Sequence, residues 1–290
     1  METIRTIPWM KELAKEALVN ERPLGLVPTM GALHEGHFSL VPEAKRRCSP
    51  VVVSIFVNPK QFGPSEDLKK YPRSFEADRD ALANLGVDIL FAPSSEEMYP
   101  AGFSTSVNVK GLSDRWEGRA RPGHFDGVAT VVLKLFEIVQ PHTAFFGRKD
   151  AQQARVIRQM VTDLNLHAEV ALCPIVREPD GIALSSRNVY LKPEDRQAAT
   201  IISRSLGTCK ESIARGERDV MQLLAAVRAK LESEPRVTVD YAEIVDANSF
   251  EPVRALRGNC YALIAATVGG TRLIDNAYIE QQSETFSVQV

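Results

Sequence analysis

No apolar stretch of this 290-residue chain approaches the ~18 residues a membrane-spanning helix needs. Its wholly apolar runs, 51–53, 55–57, 89–92 and 261–266, are all short. Neither sign of charge dominates. Thirty-five Lys and Arg face 37 Asp and Glu, a formal net charge of −2, without the basic excess of a dedicated nucleic-acid binder. Cysteine is sparse. Cys48, Cys173, Cys209 and Cys260 are far apart and form no C-x-x-C pair, which argues against a zinc ribbon or a disulfide framework and for buried free thiols. The first residues, METIRTIPWMKELAKEAL, carry acids and no apolar core, so no secretory signal and a cytoplasmic address are expected. Neither G-x-x-x-x-G-K-[ST] nor G-x-G-x-x-G occurs, which removes the P-loop and the dinucleotide fingerprint.

What is present is an alternation. Apolar strand-like segments at 24–27, 51–57, 87–91, 143–146 and 168–176 are separated by helical periods, as in Val128, Val131, Val132, Leu135 and Phe136. Nearly continuous apolar strands between amphipathic helices predict a Rossmann-like parallel sheet covered on both faces. Ligands of such sheets sit beyond the carboxyl ends of the strands. After about residue 177 the pattern changes to two helices, one opened by Pro193, and an apparent antiparallel pair at 237–245 and 261–268, with Gly269-Gly270 as a turn into Leu273-Ile274. The expected organisation is a parallel-sheet domain over 1–176 and a smaller α+β domain over 177–290.

The sharpest segment is Pro28-Thr-Met-Gly-Ala-Leu-His-Glu-Gly-His37, directly after the first of these strands. Gly31 and Gly36 permit a tight turn, and a helix starting at His37 offers unpaired N–H groups to phosphate. His34 and His37, three apart, are placed to donate to phosphoryl oxygens whose charge grows in a transition state. A metal pair is the competing reading, but the segment is not H-E-x-x-H and has no evident third ligand. Pro42 falls inside the helix this predicts, where it costs about 3 kcal/mol, so a kink or an irregular first turn is expected. Further polar turns follow other strands. Asn58-Pro-Lys-Gln-Phe-Gly63 suits hydrogen bonding of a polar substrate and reads equally as an ordinary polar loop, Arg148-Lys-Asp150 reads as a turn that neutralises polyphosphate or as a solvated helix cap, and Arg121-Pro-Gly-His124 before an apolar helix is equally open. Ser185-Ser-Arg-Asn188 after Asp180-Gly181 reads equally as a phosphate clamp or a plain helix approach. For Asp78 and Asp80, on a charged helix, a solvated face is the better reading.

Taken together these segments resemble the pantothenate synthetase (pantoate–β-alanine ligase) family of H-x-G-H nucleotidyltransferases. The likeness rests on the 28–37 motif, Asn58-Pro-x-Gln-Phe-Gly63, Tyr71-Pro-Arg73, Arg121-Pro-Gly-His-Phe125, Phe146-Gly-x-Lys-Asp150, Gln152-Gln153, Ser185-Ser-Arg-Asn188 and Leu273-Ile-Asp-Asn276, which appear in family order over nearly the whole chain. It implies a cytoplasmic carbon–nitrogen ligase, a homodimer, in the pathway to coenzyme A. Pantoate attacks Mg-ATP to give pantoyl adenylate and pyrophosphate, and β-alanine then displaces AMP to give pantothenate. No membrane and no nucleic acid take part.

The same resemblance assigns roles. Met30, Gly31, Ala32, Leu33, His34, Glu35, Gly36 and His37 line the ATP site, with His34, His37 and Lys149 catalytic. Gly147, Arg148, Lys149 and Asp150 hold adenosine and phosphates. Val176, Leu184, Ser185, Ser186 and Arg187 complete the site, with the second domain as a lid. Gln61 and Gln153 bind pantoate, Gln61 also meets β-alanine, Asn58 is a further substrate contact, and Asp78 matches an acidic position near Mg2+. The chain departs from the family at Arg148, where Glu or Gln is usual, at Leu184 for Met, at Asp126 for Arg, and at Pro42. The H-x-G-H element alone also allows a nucleotidyltransferase that keeps the nucleotide on its product, or a nucleotide binder without turnover. The two glutamines and the Ser-Ser-Arg turn speak against the first, and His34, His37, Lys149 and both glutamines against the second.

Overall fold

The computed structural model describes residues 1–63, 68, 71–283 and 285–290. The strands are β1 (Glu2–Ile4), β2 (Gly25–Thr29), β3 (Val51–Ile55), β4 (Ile89–Phe91), β5 (Thr143–Gly147), β6 (Glu169–Cys173), β7 (Val237–Asp246), β8 (Cys260–Val268), β9 (Thr271–Gln282) and β10 (Thr285–Gln289). The helices are α1 (Ile7–Val19), α2 (Glu35–Phe38), α3 (Leu40–Arg47), α4 (Phe75–Asn84), α5 (Ser95–Met98), α6 (Glu117–Ala120), α7 (His124–Val139), α8 (Ala151–Asp163), α9 (Pro193–Ala214) and α10 (Val220–Glu232). They divide into two compact units: Met1–Arg148 with Gln152–Pro174, and Lys149–Ala151 with Ile175–Val290.

The first unit holds a six-stranded sheet in the order β1-β4-β3-β2-β5-β6, every neighbouring pair parallel. This is the Rossmann-like sheet the alternation predicts. One layer buries Val27, Val51, Val53, Leu90 and Phe145 under Leu40, Val41 and Ala44 of α3 and Leu82 of α4. Alternation along the strands turns Leu26 and Val52 to the opposite face, where α7 packs on β2 and on α1. Helix α7 is apolar nearly all round, as a helix sunk in the core must be; Val128, Val131, Val132, Leu135 and Phe136 are all buried.

Strand order reverses on either side of β2, so the crevice between β2 and β5 is the switch point at which such sheets bind ligands. The ladder there is short: β2 and β5 pair only at Gly25↔Thr143 and Leu26↔Ala144, whereas β2 and β3 pair from Gly25 to Thr29. Thr143 N–H donates to the Leu24 carbonyl, and Phe56 N–H to the Thr29 carbonyl. Even-numbered residues of β2 therefore turn their backbone toward β5, and Pro28, which lacks an N–H, faces the side where the ladder has already ended.

The second unit is a four-stranded antiparallel sheet, β10-β9-β8-β7, covered by α9 and α10. Its core includes Ile202, Leu206, Leu223, Val227, Ile244, Ile264 and Ile279. The sheet has four strands where the sequence suggests an antiparallel pair. Strand β9 carries Asp275 on its core side, which masks its alternation, and β10 is short. Strand β1, three residues at a sheet edge, likewise carries too little pattern to read. Gly269 and Gly270, at φ +56° and +82°, make the turn read from the sequence.

All four cysteines are free and buried. Burial pushes the Cys209 thiol up to about 12 and that of Cys260 up to about 11, and raises Cys48 and Cys173 as well. Raised values leave little thiolate near neutrality. The native protein is expected to be inert to an aromatic disulfide reagent at pH 8 and to release four equivalents only after denaturation. A rapidly reacting native thiol would contradict this packing.

Candidate active site

In the first unit the site begins where β2 ends. Thr29 Oγ1 donates to the Ser54 carbonyl (2.7 Å) and accepts from the Gly31 N–H (3.2 Å). The chain then turns through left-handed conformations at Gly31 (φ +79°) and Ala32 (φ +51°); the second is strained for a residue with a Cβ. Asp78 of α4 holds the turn. Its Oδ2 accepts from Ala32 N–H at 2.8 Å, and its Oδ1 accepts from Leu33 N–H at 3.1 Å and Ser74 Oγ at 3.0 Å. Asp78 is buried at 4% exposure, not on a solvated face. Asp78 falls on the stripe of Phe75 and Leu82 at i, i+3, i+7, a signal masked by the charged residues around it; Asp80 does lie on the exposed side.

His34 is the N-cap of α2, its backbone extended and its Nδ1 accepting from Gly36 N–H at 3.2 Å. An accepting Nδ1 puts the proton of the neutral ring on Nε2, so that nitrogen is a donor. The helix starts at Glu35 rather than His37, because His34, not Gly36, supplies the cap. It runs only to Phe38 before the chain breaks at Ser39 and resumes as α3. Pro42 thus sits in the first turn of α3, where its missing N–H is among those without an intrahelical partner anyway. The field at the motif is that of one helical turn. The His34 and His37 rings lie with centroids 4.1 Å apart.

Gln61 is placed by a separate set of contacts in the same unit. Asn58, 1% exposed, donates from Nδ2 to Gln61 Oε1 (3.0 Å) and to the Gly127 carbonyl (2.9 Å), and its Oδ1 accepts from Tyr99 O–H (2.8 Å) and Lys60 N–H (3.3 Å). Asn58 therefore stands behind Gln61. Gln61 Nε2 donates to Met30 Sδ at 2.9 Å, linking it to the motif turn. The Gln61 carbonyl accepts from His124 Nδ1 at 2.8 Å, and His124 Nε2 meets Arg121 Nη1 at 3.0 Å. A carbonyl only accepts and a guanidinium only donates, so His124 is the neutral Nδ1–H tautomer. This assigns Arg121-Pro-Gly-His124 a supporting part that its sequence left open.

Gly127 is a residue the sequence reading missed. A Cβ there would meet the Lys60 carbonyl oxygen at 2.3 Å and Gln61 Cα at 2.6 Å. The signal was available: a glycine inside an otherwise apolar helix is unfavourable unless another backbone passes close by. Of the adjacent Gln152 and Gln153 on α8, Gln152 is structural. Its Nε2 donates to the carbonyls of Leu112 (2.7 Å) and Arg115 (2.9 Å), and its Oε1 accepts from Glu117 N–H (3.1 Å). Gln153 is half-buried. The motif turn also walls a cavity of about 260 Å3, shared with Ile55, Phe56, Arg73 and Ser94. That is small beside typical ligand pockets of ~300–1,000 Å3 and fits a fragment rather than a whole nucleotide.

In the second unit Lys149 Nζ lies 3.8 Å from Asp150 Oδ1, with the lysine side chain 19% exposed. Residues 176–184 form a hairpin, with Leu184 N–H donating to the Val176 carbonyl (3.0 Å) and Glu178 N–H to that of Ile182 (2.8 Å). Ser185 then caps a 3-10 turn, Ser186–Tyr190, its Oγ accepting from Arg187 N–H at 3.3 Å. Among the described residues no three His, Cys, Asp or Glu side chains converge as a metal-binding group, and no helix is long and apolar enough to cross a membrane.

The model of the pantoate-beta-alanine ligase family matches residues 2–278. A pantothenate synthetase of Thermotoga neapolitana is 52% identical over 279 residues, 96% of this chain and 100% of that protein. The one of Acetivibrio thermocellus is 49% identical over 280 residues, 97% and 100%. Among solved structures, the pantothenate synthetase of Thermus thermophilus superposes with a TM-score of 0.90 at 47% identity, over 95% of this chain and 98% of that one. A pantoate-beta-alanine ligase of Francisella tularensis, complexed with beta-gamma ATP and beta-alanine, gives a TM-score of 0.76 at 34% identity, covering 95% and 97%.

The close approach at Gly127 makes a direct prediction. Gly127→Ala must push α7 away from the Asn58–Gln61 turn, an overpacking cost of about 1–3 kcal/mol. The expected result is a melting midpoint lowered by several degrees; an unchanged midpoint would show that the turn yields freely.

Proposed function

The chain belongs to the pantoate–β-alanine ligase family, and from that premise we propose that it joins pantoate to β-alanine at the expense of ATP. The observation that carries the reading is the pairing, in one unit, of the adjacent His34 and His37 rings with a Gln61 fixed at both its backbone and its side chain. In the first step a carboxylate oxygen of pantoate attacks the α-phosphorus of Mg-ATP; the P–O bond to pyrophosphate breaks and pantoyl adenylate forms. In the second the amine of β-alanine attacks the acyl carbon, AMP leaves, and the amine proton passes to solvent. A carboxylate resists amines because oxide is a poor leaving group, and adenylation supplies a good one. No enzyme nucleophile is needed, so catalysis rests on positioning and on stabilising charge.

Within this reading His34 and His37 donate to phosphate oxygens as negative charge builds up, and Lys149 neutralises charge near the reacting phosphorus. The segment from Met30 to His37, together with Gly147, Arg148, Asp150, Val176, Leu184, Ser185, Ser186 and Arg187, lines the ATP site. Gln61 and Gln153 hold pantoate by uncharged hydrogen bonds, Gln61 also meets β-alanine, and Asn58 sets the Gln61 amide. Asp78 has both oxygens engaged by the turn, so Mg2+ enters with ATP as part of the substrate and Asp78 secures the loop that receives it. The cytoplasmic location is supported by the four free, buried thiols, which suit a reducing compartment. The homodimer is carried over from the family resemblance.

The deciding experiment is pyrophosphate release from Mg-ATP with pantoate, with and without β-alanine. Pantoate-dependent pyrophosphate, with AMP and pantothenate appearing only once β-alanine is added, is expected; a stable nucleotidyl product would move the chain to another H-x-G-H chemistry. His37→Ala should lower turnover by roughly 10²–10³ while ATP binding stays comparatively intact, and near-normal turnover would remove His37 from the mechanism. Gln153→Ala should instead weaken pantoate binding, measured by the KM for pantoate; an unchanged value would sink that assignment.

A further inference from the structure

Asp275 and Asn276, adjacent on β9, have no part in the reading above, yet they are exposed to only 5% and 2%. Strand alternation points them to opposite faces of the sheet. Asp275 shares the face of Leu273, Ala277 and Ile279, which build the core of the second unit. There it receives Arg177 end-on, Nη1 to Oδ2 at 2.7 Å and Nη2 to Oδ1 at 3.0 Å. The same Nη1 donates to the Gly181 carbonyl at 3.1 Å, so one guanidinium ties the strand to the tip of the 176–184 hairpin. On the other face Asn276 Nδ2 donates to the Lys149 carbonyl at 2.8 Å. Asn276 N–H donates to Asp275 Oδ1 at 2.8 Å, coupling the two contacts.

A buried ion pair and a buried amide in an otherwise aliphatic strand are poor devices for stability, since apolar residues of the same volume do as well or better. What they supply is direction. A bidentate carboxylate–guanidinium pair fixes an orientation as well as a distance. The hairpin so fixed also carries the following turn: Asn188 Nδ2 donates to Glu178 Oε1 (2.6 Å) and to the Ala183 carbonyl (3.1 Å).

We propose that Asn276 and Asp275 are positioning residues for the adenylation step. Asn276 anchors the backbone from which the Lys149 side chain springs, and Asp275, through Arg177, anchors the hairpin that carries Val176 and presents Ser185 to Arg187. The proposal rests on the reading of Lys149 and the hairpin as ATP contacts.

The test is a double-mutant cycle on pantoate-dependent pyrophosphate release with Asn276→Ala, Lys149→Ala and both together. Asn276→Ala is expected to lower kcat by roughly 10- to 10²-fold with the KM values for ATP and pantoate little changed, and to cause no further loss in the Lys149→Ala background. Should the alanine variant fold poorly, Asn276→Leu fills the same volume without a donor and must show the same pattern. A loss that is as large in the Lys149→Ala background as in the parent overturns the proposal and leaves the role of Lys149 standing. Near-normal turnover of Lys149→Ala alone overturns the reading of Lys149, and the Asn276 part of the proposal with it. For the other face, Asp275→Asn should raise the KM for ATP severalfold with kcat nearly unchanged. A lowered melting midpoint with an unchanged KM would show that Asp275 only stabilises the unit.

Discussion

The grip of the Asp78 carboxylate on two consecutive backbone amides is the constraint from which the rest of the motif turn follows. Ala32 and Leu33 belong to no helix or strand, and their N–H groups, near a partly buried loop, need acceptors. An ionised carboxylate accepting both makes stronger, charge-assisted bonds. That grip offsets the left-handed conformation at Ala32, a residue whose Cβ disfavours it. Once Ala32 and Leu33 are fixed, His34 arrives in extended conformation, caps the short helix with its own ring nitrogen, and brings the His37 ring, one turn later, alongside its own.

The same economy recurs elsewhere. Side chains proposed to touch substrate are held by neighbours that bond mainly to backbone. The Gln61 carbonyl is taken by His124, which Arg121 keeps in a single tautomer, and the Gln61 amide is set by Asn58. The Lys149 carbonyl is taken by Asn276. Bonds to backbone place the origin of a long side chain while leaving its tip available for chemistry. This is also why so many of the family-like segments contain residues with no evident reactivity: Arg121, His124, Asp275 and Asn276 support residues rather than react.

Much of this was legible in the sequence, and the failures have physical causes. The parallel sheet announced itself through long apolar strands, and the motif at 28–37 through its two histidines beside two glycines. The start of α2 was misplaced because an imidazole seldom serves as a cap, so His34 read as part of the turn rather than as the helix's first acceptor. Asp78 read as solvated because a carboxylate among other charges is expected in water, although it falls on the stripe of Phe75 and Leu82; the amides of a loop 45 and 46 residues away explain its burial. The doubled size of the second sheet was hidden by Asp275, a carboxylate on the core side of the very alternation by which β9 would be found. Single-sequence patterns report burial in an apolar core, and they are silent about polar groups buried for the sake of geometry.

Pro28 has a consequence of its own. A central strand of a parallel sheet would normally zip to both neighbours along its length, and β2 does so with β3 but separates from β5 beyond Leu26. With no N–H to offer on that side, the chain cannot complete the ladder even in the absence of any ligand. The gap at the switch point is therefore written into the covalent chain, not forced open by whatever enters it. A ligand entering there breaks no backbone hydrogen bond, and its binding free energy remains available for orientation. It also follows that the strands lining the gap should keep the same backbone course whether the protein is empty, charged with nucleotide, or emptied again after turnover.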